Sequence, residues 1–188
     1  MHRWGALLLA AGLALNGCGN SRTPTPDVST PGPPIGSYEV KYPKQGIRFQ
    51  APAGWILSQG TGTLVASIGV GSSSMSIWRY PRTEPLPRTR AQLEQARQAL
   101  VAAAQARDPT FKAAKATVTR IAGAHAIVIR GTETIEGNER MVRSAHVYSH
   151  AAEVVVDALA PARDFRRVDA AFFRPLLRSL RIGRAPRA

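Results

Sequence analysis

The sequence predicts an α+β domain, an antiparallel β-sheet flanked by two main helices. Three observations carry that reading. Short runs with period-2 alternation are separated by Gly, Pro, Asn and Ser, as strands joined by turns require. Two longer stretches place apolar residues at helical spacing. The order is strands, helix, strands, helix, and the hairpin-type connections between neighbouring strands make antiparallel pairs that helices can cover.

The elements follow in chain order. Gly46 to Pro52 alternates apolar and polar residues and ends at proline, so it reads as a strand. Ala53-Gly54 is a turn, and Trp55-Ile56-Leu57 opens the next strand. Thr63 to Val70 and Ser74 to Tyr80 are further short strands, broken by Gly69, Gly71 and a serine run. Pro81 to Pro87 is a connection. Thr89 has the character of an N-cap, with Gln92 at capping-box spacing. Leu93, Ala96, Leu100 and Ala103 or Ala104 then share one helical face. Asp108-Pro109 stops that helix, because proline disfavours helical geometry in the residue before it.

Three strands come next, at about Ala116 to Ile121, Ala124 to Ile135 and Arg140 to Ser149. Gly137-Asn138 is a hairpin signal. Around a two-residue turn there, Ile135 is expected opposite Arg140 and Ile129 opposite His146. Glu153 to Ala160 is a last β-rich run. An amphipathic helix from about Asp164 to Leu180 ends the domain, with Phe165, Val168, Phe172, Leu176 and Leu180 as its apolar stripe. Pro175 is expected to kink it or to start a fresh turn.

Ahead of this domain stands Cys18, the single cysteine of the 188 residues. His2 and Arg3 form a small positive region, and an apolar stretch from Trp4 to Leu15 follows. That stretch is shorter than the roughly 20 residues that span a bilayer. Leu15-Asn16-Gly17-Cys18 resembles a lipobox, with Asn16 an unusual residue at its position. The resemblance implies diacylation of the Cys18 thiol, cleavage before it and acylation of the new amino group. The expected organisation is a lipoprotein signal peptide over 1–17, and a lipidated Cys18 with a Pro/Ser/Thr-rich linker over 18–37. A domain over 38–182 and a basic tail over 183–188 follow. The linker is too poor in apolar residues to fold. The expected location is the extracytoplasmic face of the cell membrane.

Charge points the same way. Lys and Arg number 25 against 12 Asp and Glu, a formal net charge of +13. Arg163, Arg166, Arg167, Arg174, Arg178, Arg181, Arg184 and Arg187 crowd the C-terminal stretch. A tethered basic surface is drawn to anionic headgroups, at about 1 kcal/mol per side chain near the membrane. Nucleic acid is the other common partner of such charge, but the sequence holds no recognition motif for it.

The strand ending in Phe49-x-x-Pro52-x-Gly54-Trp55, the mid-chain helix, the Gly123-x-x-Ala126 strand with its hairpin, and the terminal Phe172-x-x-x-Leu176-Leu177-x-Ser179-Leu180-Arg181 form a pattern. It resembles the PsbP/Mog-like α/β/α sandwich, including LpqN-type actinobacterial lipoproteins, over about Tyr38 to Ile182. The resemblance implies a mostly non-catalytic family of accessory and binding proteins, with no catalytic residue to carry over and no cofactor.

Candidate sites are few. His146 and His150 lie four apart, and Glu153 and Asp157 share a parity on the next run. Together they offer ligands for a metal ion or the parts of an envelope hydrolase, the alternative to a binding function. The bland assignment packs His146 in the sheet and leaves His150 in a solvated turn. Ser72-Ser73-Ser74 lacks the elbow that exposes a serine nucleophile. Gly69-x-Gly71 has neither the third glycine nor the helix of a dinucleotide loop. Arg130 and Arg143 are expected on one hairpin face, with Arg120 nearby, where guanidinium groups grip carboxylate or phosphate bidentately. Trp55 and Trp78 are candidates to line an apolar pocket. The function expected is a lipid-anchored binding protein for an envelope lipid, a glycolipid or a membrane protein partner.

Overall fold

The computed structural model describes residue 32 and residues 35–186. The expectations for Leu15, Asn16, Gly17 and Cys18, and for most of the linker, lie outside the described residues. The ordered elements are β1 (Ser37–Tyr42), β2 (Ile47–Pro52), β3 (Ile56–Gln59), β4 (Leu64–Val70), β5 (Ser73–Pro81), α1 (Arg90–Arg107), β6 (Lys112–Ile121), β7 (Ala124–Ile135), β8 (Asn138–Ser149), β9 (Ala152–Pro161), α2 (Ala162–Val168), α3 (Arg174–Ser179) and β10 (Arg181–Ile182).

Seven strands form the main sheet in the order β3-β4-β5-β9-β8-β7-β6, every neighbour antiparallel. The first and last strands are elsewhere: β1 and β10 flank β2 in a three-stranded sheet of their own. Of these three strands only β2 is predicted from the sequence, and alternation does not say which sheet it joins. The apolar run of β9 fits its central place between β5 and β8.

The hairpins are tight. Gly71-Ser72, Ala122-Gly123, Glu136-Gly137 and His150-Ala151 are the two-residue loops between paired strands. The last three have both residues at positive φ, the geometry that matches strand twist. This corrects the register of the β7–β8 hairpin. The turn is Glu136-Gly137, not Gly137-Asn138, because this turn favours glycine at its second position. Ile135 therefore faces Asn138, Ile129 faces Ser144, and His146 faces Ile127. The shift is by two residues, so each side chain keeps its face.

One face of the main sheet carries the larger core. Val65, Ile68, Met75, Ile77, Val147, Val154 and Val156 join Phe165, Val168, Phe172, Phe173, Leu176 and Leu180 from the C-terminal helical layer. Val40, Ile47 and Phe49 of the small sheet complete it. The expected single terminal helix is two helices joined by a wide π-helical segment, Asp169–Phe173, just ahead of Pro175. Proline supplies no N–H and crowds the preceding turn, and the wider turn absorbs both effects. The extra residue broadens the apolar stripe to include Phe173 and Leu177.

The opposite face carries α1 and a smaller core of Leu93, Phe111, Ile127, Ile129 and Tyr148. Thr89 and Gln92 form the expected capping box. Leu93 is buried, and Ala96, Leu100 and Ala104 pack against the same cluster. All strand pairing and both cores fall within residues 37–182.

Candidate functional site

Helix α1 rests on the β6–β7 side of its face and leaves the β5–β9 side of the floor uncovered. A cavity of about 520 Å³ lies in that gap. Its α1 wall presents Leu100, Ala103, Ala104 and Arg107, and Phe111 lines it as well. The floor is different in kind: Ser74, Ser76 and Tyr80 from β5, Ser144 and His146 from β8, and Glu153 and Asp157 from β9, with Glu133 on β7 beyond them. Strand alternation places these residues on one face, since Ser144 faces Asp157, Tyr148 faces Glu153, and Ser76 faces Asp157 across the ladders. Gly131 makes room for Phe111, because a Cβ there would come within 2.8 Å of its ring.

The floor is a connected hydrogen-bond chain. Arg82 Nη2 donates to Glu153 Oε2 at 2.6 Å, and His146 Nδ1 meets Glu153 Oε1 at 2.7 Å. His146 Nε2 lies 3.0 Å from Ser144 Oγ, which donates to Asp157 Oδ1 at 2.5 Å. Burial acts to raise Glu153, but its hydrogen bond with His146 and the charges of His146 and Arg82 outweigh that, so its carboxyl sits below the ordinary value. Glu133 is the reverse case. Burial pushes its carboxyl up, Asp108 and Asp157 push the same way, and Arg107 opposes them. Among the described residues Glu133 has no hydrogen bond or ion pair.

The sequence candidates separate in space. His146 is joined to Glu153, and through Ser144 to Asp157, as the parity of the two runs allowed. His150 is exposed in the β8–β9 turn and lines a different surface hollow with Arg79 and Arg184. No group of three or more His, Cys, Asp or Glu among the described residues is placed to hold a metal ion. Arg130 and Arg143 are direct partners across β7 and β8, on the face away from α1. Arg143 is buried there in a bidentate pair with Asp169, at 2.6 and 2.8 Å. Arg130 is exposed, and Arg120 on edge strand β6 donates to the Gly123 carbonyl at 2.9 Å. Trp55 and Trp78 do not share a pocket. Trp55 packs on Phe172 and Phe173 in the larger core, while half-buried Trp78 stacks with Tyr80 on the α1 side. Ser144 and Tyr80 escaped the sequence reading. The alternation that aligned His146 with Glu153 and Asp157 was the signal that would have added Ser144.

The sequence matches no family model and no curated protein sequence. Solved structures do match. CyanoP, the PsbP of the cyanobacterium Synechocystis sp. PCC 6803, superposes with a TM-score of 0.62 at 13% identity, over 79% of this chain and 95% of that one. LpqN of Mycobacterium tuberculosis, described as involved in cell envelope biogenesis, gives 0.55 at 15% identity over 80% and 91%. The Saccharomyces cerevisiae Ran-binding protein Mog1p gives 0.53 at 10% identity over 78% and 95%. The fold is PsbP/Mog-like, an antiparallel sheet between helical layers. Identities this low establish the fold and leave the function to the site.

Proposed function

We propose that this is a non-enzymatic binding protein of the cell envelope that holds an amphiphile between α1 and the sheet. The cavity carries this reading. Its size falls in the range of about 300–1,000 Å³ typical of ligand pockets, and it sets an apolar wall against a few convergent polar groups. The envelope role given for LpqN fits the reading, as does the binding role given for Mog1p. No helix among the described residues is long and apolar enough to cross a membrane. Attachment is proposed through lipidated Cys18 and the exposed arginines of the C-terminal layer, among them Arg166, Arg174, Arg178 and Arg181. Arg120 and Arg130 belong with this outer basic surface in the proposal, not with the cavity. Native mass spectrometry of residues 35–188, released gently from membranes, should retain a lipid-sized adduct. Ala104→Trp, which fills the groove from α1, should lose the adduct and keep the fold. A bare mass for the parent protein would turn the assignment to a membrane protein partner.

A second reading rests on the hydrogen-bonded order Ser144, His146, Glu153, which has the connectivity of a nucleophile, base and orienting acid. Two facts weigh against hydrolysis. Strand β8 is paired on both sides, so the backbone N–H groups around Ser144 are held in ladders and cannot form an oxyanion hole. Asp157 also takes the serine hydroxyl. A serine-directed phosphonate probe should therefore leave the protein unlabelled. Labelling that disappears in Ser144→Ala would establish the hydrolase instead.

A further inference from the structure

The cavity's charge is opposite to that of the protein around it. In a chain of net charge +13, the lining contains Asp108, Glu133, Glu153 and Asp157 against Arg107 and His146. The acids are not equally occupied. Asp108 accepts from the backbone N–H and hydroxyl of Thr110, each at 2.8 Å, and Glu153 is held by Arg82 and His146. Asp157 accepts only the Ser144 hydroxyl, through one oxygen, and Glu133 accepts nothing among the described residues. Two carboxylates thus retain acceptor capacity on the cavity side, while the walls offer Leu100, Phe111, Ile129 and Val142 for an apolar body. The helix adds to the field. Its C-terminal turn, Ala103 to Arg107, forms part of the wall, and the carbonyl end of a helix dipole favours positive charge.

We infer that the occupant of this cavity is an amphiphile with a cationic, N–H-donating head, such as a primary amine, and not an anionic lipid. This rests on the proposed amphiphile cavity and deepens it. The head lies between Glu133 and Asp157, and the apolar portion runs along α1 over Ile129 and Val142. An anionic head would meet unpaired carboxylates in a half-enclosed space, where like-charge contact is least screened. Anionic headgroups are left to the C-terminal layer on the other side of the sheet. Bringing the protein to an anionic surface and filling its cavity are then separate acts by separate faces.

Calorimetric titration of residues 35–188 with octylammonium, octanoate and octyl glucoside, each below its micelle concentration, tests the inference. The three share a tail and differ in head charge. Octylammonium should bind at least about tenfold more tightly than octanoate, as one charge-assisted contact suffices for such a ratio. Glu133→Gln and Asp157→Asn should each weaken octylammonium several-fold, and more than they weaken octyl glucoside, which carries no charge. Octanoate binding equal to or tighter than octylammonium overturns the cationic head. So does octyl glucoside binding with no octylammonium preference, although the cavity would then stand as an amphiphile site. No heat with any of the three, alongside a bare mass in the native spectrum, removes both.

Discussion

At the scale of single residues, Arg143 is a buried charge that depends on its partner. It is 5% exposed, its cross-strand partner is Arg130, and Asp169 supplies the opposite charge. Arg174 lies 3.4 Å from the same carboxylate on the outer side. Removing one partner of a buried pair strands the other, which typically costs about 3–5 kcal/mol. Asp169→Ala should therefore lower unfolding free energy by about that much in urea titration, and a loss below about 1 kcal/mol would show that Arg143 escapes to solvent. Glu133 works in the opposite direction. Its folded carboxyl is raised, so its ionised form opposes folding above that pKa and the opposition vanishes in acid. Glu133→Gln should raise Tm at neutral pH, with the gain shrinking as pH falls. Glu153, with a lowered carboxyl, contributes stability above the ordinary value of 4.5 that is lost as pH falls through its folded pKa. A Glu133→Gln protein no more stable than its parent at neutral pH would mean that the carboxylate is compensated.

At the scale of elements, local chemistry was legible and partnership was not. The capping box at Thr89, the stop at Asp108-Pro109 and the span of β7 all follow from neighbours in sequence. The β7–β8 register did not, because Gly137 can occupy either position of a two-residue turn and only the positive φ of Glu136 decides between them. The His150-Ala151 turn carries no glycine and thus no signal. Its unfavourable backbone is held from afar, by Arg79 reaching the His150 carbonyl at 3.4 Å and the Arg82 N–H reaching that of Ala151 at 2.8 Å. The site was half legible for the same reason. Alternation aligned His146, Glu153 and Asp157, whereas the contribution of α1 and Phe111 to the cavity depends on how far the helix covers the sheet. The arginines were read as ligands because sequence shows their face and not what buries it, which for Arg143 is Asp169 from a distant helical turn.

At the scale of the whole molecule, residues 181–183 close the fold. Ile182 pairs with Ile47, the Gly183 N–H donates to the Gly46 carbonyl at 2.7 Å, and buried Arg79 donates to the carbonyls of Gln45 and Gly183 at 2.9 and 3.2 Å. Ending the chain at Leu180 removes the pairing with Ile47 and both contacts of Gly183, and leaves Arg79 only its bond to Gln45 on that side. With roughly two hydrogen bonds and part of an isoleucine lost, the cost should be about 2–4 kcal/mol. For a domain of this size that is about 5–15 °C in Tm by calorimetry. A shift within about 1 °C would make the last strand dispensable.

The strand order of the main sheet also sets a timetable. β3, β4 and β5 are made early and pair among themselves, but the inner edge of β5 waits for β9, so that Ser74 meets Leu159 and Pro81 meets Ala152 only after the rest of the sheet has been synthesised. Until then Met75 and Ile77 stand on a strand with an open ladder, a template for other chains. Pairing so remote in sequence favours slow folding, and it leaves the inner edge of β5 without its neighbour until β9 has been made.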